Sequence, residues 1–248
     1  MMRASQPEPL PSLGMRVLEL WRYPIKSIGG ERLDVAEVAE FGIVGDRGWG
    51  LVDEETGNVL TARRAPTLLM ATCAIVDGVP VTTTVEGDVL RTSADYSDWL
   101  GQPVRLERAG DTGGTYENPM DFENDADWIS WQGPAGAWHD SGRSRVSIVS
   151  TASLRDWDGR RFRSNVLVDS AGEDDLIGER VTIGTARLNV TKGIDRCVIV
   201  TRPQPGLDRD LSVLTTILRA DVTTLSVGAT VEAAGAVRVG DEVIAVPS

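Results

Sequence analysis

The chain has 248 residues, 41% of them hydrophobic, and a formal net charge of −12 at pH 7. This length suits one large domain or two small ones, and the acidic balance disfavours broad binding to nucleic acid or anionic membranes. Two cysteines, Cys73 and Cys197, exclude a disulfide framework and an iron–sulfur cluster, which needs about four thiolates. With His139 as the single histidine, a Cys/His zinc site lacks ligands.

The N-terminal segment "MMRASQPEPLPSLG" contains prolines and polar residues but lacks the apolar core of a secretory signal. No apolar run approaches the roughly 18 residues of a membrane span. We therefore expect residues 1–14 to be a disordered tail. We also expect a cytoplasmic protein that binds neither membrane nor nucleic acid.

From Met15 onwards the chain predicts a series of short strands. The stretch "MRVLELWRYPI" predicts a largely buried strand ended by Pro24, and "GWGLVDEETGNVLTA" predicts a hairpin around Gly57. Further strands follow, with turns at Asp77-Gly78 and Glu86-Gly87. Cys73 lies in one of these strands, where a buried core thiol is the expected role.

Residues 110–140 are acidic and rich in glycine and tryptophan, which favours a long loop, a lid or a domain junction. Their three tryptophans are expected to anchor this segment to the body or to form a substrate wall. Short strands with few helices then continue to the C-terminus, which predicts a β-barrel architecture. The glycine motifs of nucleotide-binding α/β folds are missing.

Two short stretches place polar donors where a strand ends. In "YPIKSIGGE", Lys26 and Ser27 follow Pro24, so this loop is either an ordinary surface turn or a phosphate cradle whose glycine backbone approaches an anion. In "GDRGW", Asp46 and Arg47 form either a local ion pair or an inward-pointing arginine that binds phosphate or a heterocycle.

A third stretch, "RRFRSN", precedes the apolar run of a strand. If it belongs to that strand, Arg161, Arg163 and Asn165 share one face. Such a row is either a solvated face or a wall that binds oxyanions.

Cys197 lies in "IDRCVIVT", at the expected start of a strand, after Asp195 and Arg196. A lone cysteine is usually a buried structural thiol. A neighbouring guanidinium favours the thiolate, however, and a thiolate is a soft metal ligand. No histidine stands near it in the sequence, so hydrolytic Cys-His catalysis is unsupported.

Six stretches together resemble the MOSC family, which comprises the relatives of the C-terminal domain of molybdenum-cofactor sulfurase with an attached N-terminal β-barrel domain. In chain order they are "YPIKSIGG", "GIVGDRGWGLVDEETG", "TARRAPTLL", "RRFRSNVLVD", "IDRCVIVTRPQPG" and "VRVGDEV". The resemblance implies a mainly β fold in which a MOSC β-barrel domain packs with a smaller N-terminal β-rich domain and few short helices. We place these domains at residues 110–248 and 15–109.

The resemblance also implies a molybdenum cofactor, in which the metal is held by the pyranopterin molybdopterin. In the amidoxime-reducing members the cysteine of the Arg-Cys motif ligates molybdenum, and that position is Cys197 here. By the same matches, seven residues are expected to bind the cofactor: Lys26, Ser27, Arg47, Arg163, Asn165, Asp195 and Arg196.

The chain departs from the family pattern at several positions near these motifs. Ser164 stands where the family usually has proline, Asp195 replaces a common serine or threonine, and "RPQPG" replaces the usual stretch after the cysteine. Asp140 and Ser144 match only loosely and are carried as pocket residues. These departures imply that the substrate wall differs from that of the family.

The function implied by the resemblance is an oxidoreductase that reduces N-hydroxylated or related N-oxygenated small molecules. The chain has no flavin motif and too few cysteines for a cluster, so electrons are expected from a separate flavin, haem or iron–sulfur protein. The alternative is a sulfur carrier or a molybdenum-cofactor carrier that uses Cys197 as persulfide or ligand.

Overall fold

Strands dominate the computed structural model, which describes residues 12–121, 124–219 and 224–246. In chain order the strands are β1 (Ser12–Arg22), β2 (Glu31–Leu33), β3 (Val35–Ala39), β4 (Gly42–Ile43), β5 (Trp49–Asp53), β6 (Ala71–Val76), β7 (Val79–Thr84), β8 (Val89–Leu90), β9 (Val104–Arg108), β10 (Thr115–Asp121), β11 (Asn124–Gln132), β12 (Val146–Ser150), β13 (Val166–Asp169), β14 (Arg180–Ile183), β15 (Ala186–Asp195), β16 (Thr224–Ala233), β17 (Gly235–Arg238) and β18 (Glu242–Ala245).

Helices are short in the described residues. The α-helices are α1 (Ser93–Leu100), α2 (Thr151–Leu154) and α3 (Ser212–Arg219). Four short 3-10 helices cover Pro66–Met70, Gly159–Arg161, Asp174–Leu176 and Val198–Thr201. No helix in the described ranges has both the length and the apolar character needed to cross a membrane.

Seven strands close into a barrel in the order β13-β12-β16-β15-β14-β18-β1, and β1 pairs back with β13 to complete it. The β12–β13 pair is parallel, and the other barrel pairs are antiparallel. Closure leaves no open edge on these strands. The interior is filled by inward-facing aliphatic side chains such as Leu20, Ile148, Val181 and Val227. The mainly β fold with a barrel is confirmed.

A second body of short sheets packs beside the barrel. It contains the pair β5–β9, the meander β6-β7-β8 and helix α1. Its core gathers side chains including Ile28, Leu51, Leu68 and Tyr96. Cys73 belongs to this core and is 2% exposed, and burial raises the pKa of its thiol to about 12. The expectation of a buried structural thiol at Cys73 is thus confirmed.

The N-terminal part of the chain contributes to both bodies. Strand β1 begins at Ser12, three residues before the expected domain start, and becomes a barrel strand between β13 and β18. The rest of the expected tail, residues 1–11, lies outside the described residues. The domain boundary between residues 109 and 110 stays a prediction.

Residues 110–140 were expected as a loop, a lid or a junction, but much of this segment is the β10–β11 hairpin. Tyr116 and Trp131 explain why: their rings face each other across the two strands with centroids 4.7 Å apart, a cross-strand aromatic pair that stabilises a hairpin. Trp138 lies beyond the hairpin and is buried against Val52 and Val59. The sequence prediction thus gave too much weight to the glycine and acidic residues and too little to the aromatic residues, which mark the two strands.

Candidate functional site

The barrel and the small body enclose a cavity of about 460 Å³. Every residue singled out from the sequence as a site candidate lines it, although these residues are spread over most of the chain. They are Lys26, Ser27, Arg47, Arg163, Asn165, Asp195, Arg196 and Cys197, and the loosely matched Asp140 and Ser144 join them.

The cavity wall is strongly cationic for a protein whose net charge is −12. Its acidic members are Asp140 and Asp195. Its basic members are Lys26, Arg47, Arg63, Arg161, Arg163, Lys192 and Arg196. A positive cavity inside an acidic protein focuses the field on an anionic ligand.

The loop after Pro24 holds Lys26 and Ser27 through protein contacts. Ser27 adopts a left-handed backbone with φ +70°, and its Oγ accepts a hydrogen bond from the Ala62 amide at 3.0 Å. A Cβ on Gly30 would lie 2.3 Å from the Arg22 carbonyl oxygen, so a side chain there is sterically excluded. The glycines that were expected to approach an anion thus approach the protein's own backbone.

Lys26 is buried on the cavity wall. Its Nζ donates to Asp140 Oδ1 at 2.9 Å and to the Trp138 carbonyl at 3.1 Å, and it lies 4.4 Å from the centre of the Tyr116 ring. Burial lowers the pKa of Lys26, and Asp140 opposes this shift. Desolvation opposes ionisation of Asp140, but the positive charges of Lys26, Arg63 and Arg47 together outweigh it and lower the pKa of Asp140 to about 2.

Arg47 satisfies both interpretations of its motif. Its Nη1 pairs with the buried Asp46 carboxylate, and its Nη2 donates to the Arg163 carbonyl at 3.0 Å while the side chain lines the cavity. Arg47 and Arg163 both have left-handed backbones, with φ +50° and φ +54°, and both guanidinium groups lie over the Tyr23 ring. Such strained conformations cluster at ligand-binding sites.

The stretch "RRFRSN" does not belong to the strand that follows it, so the condition for a shared face is not met. Gly159–Arg161 forms a 3-10 helix, the chain turns at Arg163, and β13 begins only at Val166. Arg161, Arg163 and Asn165 therefore do not form a row on one strand face. The positive φ of Arg163 is the reason, because an L-residue in the left-handed region breaks the strand ladder.

Arg161 is buried and has a structural role. Its guanidinium donates to the carbonyls of Val200, Arg202 and Asp208, the last at 2.7 Å. These bonds pin the segment after Cys197 to the 3-10 helix that carries Arg161. Carbonyls that lack a secondary-structure partner are thus satisfied by a charged donor.

Asn165 and Arg196 are also held by protein partners. The Asn165 side chain accepts from the Ser147 amide and hydroxyl and donates to the Trp21 carbonyl. The Arg196 guanidinium donates to the carbonyls of Leu225 and Phe162, at 2.7 and 2.9 Å, and to the Ser226 hydroxyl. Burial lowers the pKa of Arg196 to about 10, so the group remains a cation.

Cys197 follows the end of β15, not the start of a strand, and precedes the 3-10 helix Val198–Thr201. Unlike Cys73, its side chain is partly accessible. Arg63 Nη2 donates to its sulfur at 3.5 Å. Sequence reasoning did not single out Arg63, although it lies in the quoted stretch "TARRAPTLL".

Asp195 ends β15 at the mouth of the cavity. Its carboxylate is exposed and lies 3.8 Å from the Nζ of Lys192, which stands three residues earlier on the same strand. The acid that replaces a hydroxyl residue in the family motif is thus balanced locally by a lysine.

His139 lies on the wall but is a poor acid or base. It is 4% exposed, and its Nε2 is 3.2 Å from the Phe41 carbonyl oxygen. Burial lowers the pKa of His139 to about 3, so the ring is neutral at physiological pH. Within the described residues, no three His, Cys, Asp or Glu side chains form a cluster able to hold a metal ion.

Among the described residues, several polar atoms on the cavity wall are buried without a protein hydrogen-bond partner. Sequence reasoning singled out Arg163 among these residues and expected Trp131 either to anchor its segment or to form a substrate wall, but it missed Thr61, Arg63 and Asn118. The atoms are Thr61 Oγ1, Arg63 Nε, Asn118 Oδ1, Trp131 Nε1 and Arg163 Nη2. A buried polar atom without a partner costs about 1–3 kcal/mol, so their concentration at one cavity indicates a site made for a polar ligand.

Similar proteins were found by sequence and by structure. Mitochondrial amidoxime-reducing component 1 of Homo sapiens is 33% identical over 93 residues, which is 36% of this chain and 24% of that protein. The Mus musculus protein of the same name is 36% identical over 92 residues, again 36% of this chain and 24% of the relative. Mitochondrial amidoxime reducing component 2 of Bos taurus is 37% identical over 94 residues, 36% of this chain and 25% of the relative. The matched segment thus spans about a quarter of these curated relatives.

Among solved structures, the YuaD protein from Bacillus subtilis has a TM-score of 0.48 at 14% identity, covering 95% of this chain and 97% of that one. Two domain families match the chain itself, in consecutive ranges. Residues 14–130 match the MOSC N-terminal beta barrel domain, and residues 135–244 match the MOSC domain. The cavity lies where these two ranges meet, and the chain belongs to the MOSC family.

Proposed function

We propose that this protein is an oxidoreductase that holds a molybdenum–molybdopterin cofactor in the cationic cavity and reduces N-hydroxylated or related N-oxygenated compounds. The observation that carries the proposal is the partly accessible sulfur of Cys197, which lies in a cavity lined by arginine and lysine from both MOSC ranges. The names of the relatives, amidoxime-reducing components, suggest the class of substrate.

The residues present fit such a cofactor. A pyranopterin would bring a phosphate and its own dithiolene sulfurs, so the protein would need to supply only one cysteine to the metal. A site with one cysteine and no further cluster of metal-binding side chains among the described residues suits this division. The unpartnered donors Arg63 Nε and Arg163 Nη2 suit a polar anion.

We assign roles within this proposal from the contacts. Cys197 is the metal ligand. Lys26, Arg47 and Arg163 supply positive charge on the wall, and Ser27 holds the turn at Ala62. Arg196 and Asn165 fix the wall through their protein contacts, and Asp195 lies at the mouth.

When bound, the molybdenum cofactor would supply the two-electron redox chemistry for this reaction. In the overall reaction the N–O bond breaks, two electrons and two protons enter, and the reduced nitrogen compound and water leave. The chain's own residues would bind the cofactor and orient the substrate. Neutral His139 and ionised Asp140 hold no readily released proton near neutral pH, whereas burial lowers the pKa of the Lys26 ammonium, so the protons come from Lys26 or from solvent that enters the cavity.

The electrons would come from a separate flavin, haem or iron–sulfur protein, because two cysteines do not build a cluster and no flavin motif is present. The small-molecule substrate would enter the cavity directly. A cytoplasmic location stays the prediction made from the sequence.

The test is to produce the protein in a host that makes the cofactor and to measure molybdenum and pterin per chain. Turnover of benzamidoxime with an artificial electron donor is measured on the same sample. We expect near-stoichiometric metal and amidine formation. Protein that is folded and free of molybdenum in several competent hosts would contradict the proposal.

A carrier function is the second candidate, and the partial accessibility of the Cys197 thiol favours it. A sulfur carrier predicts a persulfide mass on Cys197 without metal, and a cofactor carrier predicts metal without turnover. The mass of the Cys197 peptide and the turnover assay therefore separate the three functions.

A further inference from the structure

We infer that Arg63 sets the charge preference of the site at Cys197, so that the site favours compounds that approach the sulfur with a negatively charged group. For substrates this means an N–O group that carries negative charge. That last part rests on the proposed function, whereas the charge preference itself does not.

Arg63 differs from most other cations of the wall in its partners. Arg163 also keeps one nitrogen, Nη2, without a partner, but its Nη1 donates to the Ile28 carbonyl and not to the Cys197 sulfur, and Lys192 pairs with Asp195. Arg161 and Arg196 are taken up by backbone carbonyls, Lys26 pairs with Asp140, and Arg47 pairs with Asp46. In the described part of the chain, Arg63 makes its side-chain hydrogen bond to the Cys197 sulfur, and its Nε is buried without a partner. Its positive charge is therefore left for a ligand.

The backbone around Arg63 is well fixed. The amides of Arg64 and Ala65 both donate to the Thr61 carbonyl, at 3.0 and 2.9 Å, and Ser27 Oγ accepts from the Ala62 amide. The 3-10 helix Pro66–Met70 follows directly. This turn belongs to the small body, so Arg63 reaches across the cavity to a sulfur carried by the barrel side.

Arg63 also acts on its surroundings through its charge. Together with Lys26 it helps to lower the pKa of Asp140, which places its field inside the cavity. A guanidinium without a carboxylate partner, next to the reacting sulfur, attracts an incoming anion and gives a neutral molecule no such gain. The expected consequence is a preference for anionic over neutral reactants at this sulfur.

The first test needs no cofactor. Cofactor-free protein is alkylated with iodoacetate, which is anionic, and with iodoacetamide, which is neutral, and the rate at the Cys197 peptide is followed by mass spectrometry. Both reagents attack the same thiolate, so the ratio of their rates cancels the thiolate fraction. We expect Arg63→Gln to lower the iodoacetate-to-iodoacetamide ratio about fivefold.

Arg64→Gln is the matched control. Arg64 is the adjacent arginine, but it is exposed and its guanidinium lies 3.8 Å from the centre of the Trp128 ring. We expect its ratio to equal that of the wild type. Arg63→Met serves as a second neutral variant if Arg63→Gln folds poorly, because it keeps the apolar part of the side chain. An unchanged ratio in a folded Arg63 variant, or an equal drop in Arg64→Gln, would overturn the inference.

The second test addresses the substrate class in the cofactor-loaded enzyme. Benzohydroxamic acid and benzamidoxime share a ring but differ in how readily the N-hydroxyl group ionises. Under mildly alkaline conditions we expect Arg63→Gln to lower kcat/KM for the hydroxamate about fivefold more than for the amidoxime. An equal loss on both compounds would restrict the inference to the thiol and remove its substrate part. If no molybdenum is bound at all, the alkylation result still decides the role of Arg63.

Discussion

The two sides of the cavity use the same residue types in opposite ways. On the barrel side, Arg161, Asn165 and Arg196 have their donors taken up by backbone carbonyls and neighbouring side chains, and Arg163 Nη2 is the exception. On the side of the small body and its hairpin, Thr61, Arg63, Asn118 and Trp131 present polar atoms without protein partners. A polar group whose hydrogen bonds all go to the protein stabilises the fold, whereas one with unused hydrogen-bonding capacity at a cavity can bind a ligand. The two sides are therefore expected to respond differently to substitution.

The largest effect is expected at Cys197, where the two sides meet. We expect Cys197→Ser to fold normally while its bound molybdenum and its turnover fall about 100-fold or more, because a hydroxyl is a poor substitute for a soft thiolate. Metal analysis and a thermal melt of the same sample check this.

Cys73→Ser is the matched control and should behave in the opposite way. Its thiol is buried in an apolar core, so a hydroxyl there loses stability by about 1–3 kcal/mol while the metal content per folded chain is kept. If Cys197→Ser unfolds and Cys73→Ser does not, Cys197 is the structural thiol and the comparison fails.

The next largest effect is expected on stability, when an arginine whose donors are all bound by the protein is replaced. Arg161→Met leaves the carbonyls of Val200, Arg202 and Asp208 without their donor, which should lower the free energy of unfolding by about 2–4 kcal/mol. Arg63→Met removes a group with one bond to sulfur and should lower it by less than about 1 kcal/mol. Denaturant unfolding of both variants measures the difference, and equal losses would show that the two sides do not differ in this way.

A smaller effect concerns the pH dependence of stability. Burial lowers the pKa of His139 to about 3 from an ordinary value of 6.5, so the unfolded chain takes up this proton at higher pH than the folded chain. The His139 contribution is therefore fully present above pH 6.5 and is lost at up to about 1.4 kcal/mol per pH unit as pH falls towards 3.

Urea titrations between about pH 6 and 5 avoid most carboxylate protonation and isolate the histidine. We expect His139→Gln to flatten the slope in this window. A slope that persists unchanged in the variant would mean that the histidine is protonated in the folded protein.

The smallest effect is expected on the hairpin. The Tyr116 hydroxyl is buried without a partner in the part of the chain that the structure describes, so Tyr116→Phe should leave the ligand-free protein unchanged or stabilise it by up to about 1 kcal/mol. A clear loss of stability in the ligand-free protein would show that the hydroxyl has a structural partner.

Much of the site could be identified from short motifs, because the motifs mark turns in which the backbone adopts a left-handed conformation or approaches another segment closely. Lys26, Ser27, Arg47, Arg163 and Cys197 all line one cavity, as the order of motifs implied. Arg63 and Asn118 escaped because nothing in an exposed-looking Arg-Arg pair or an isolated asparagine distinguishes a surface residue from a wall residue. That distinction depends on contacts between segments far apart in the chain.

The sequence by itself determined the class of fold and the chemistry of the wall, since strand propensity, turns and residue type are local properties. Only the tertiary structure decided which strands close the barrel, that β1 belongs to it, and that residues 159–165 turn instead of running straight. It also decided which cationic side chains have their hydrogen bonds taken up by the protein and which do not. Hydrogen-bond satisfaction depends on the partners that folding brings within about 3 Å, and those partners are set by the packing of the whole chain.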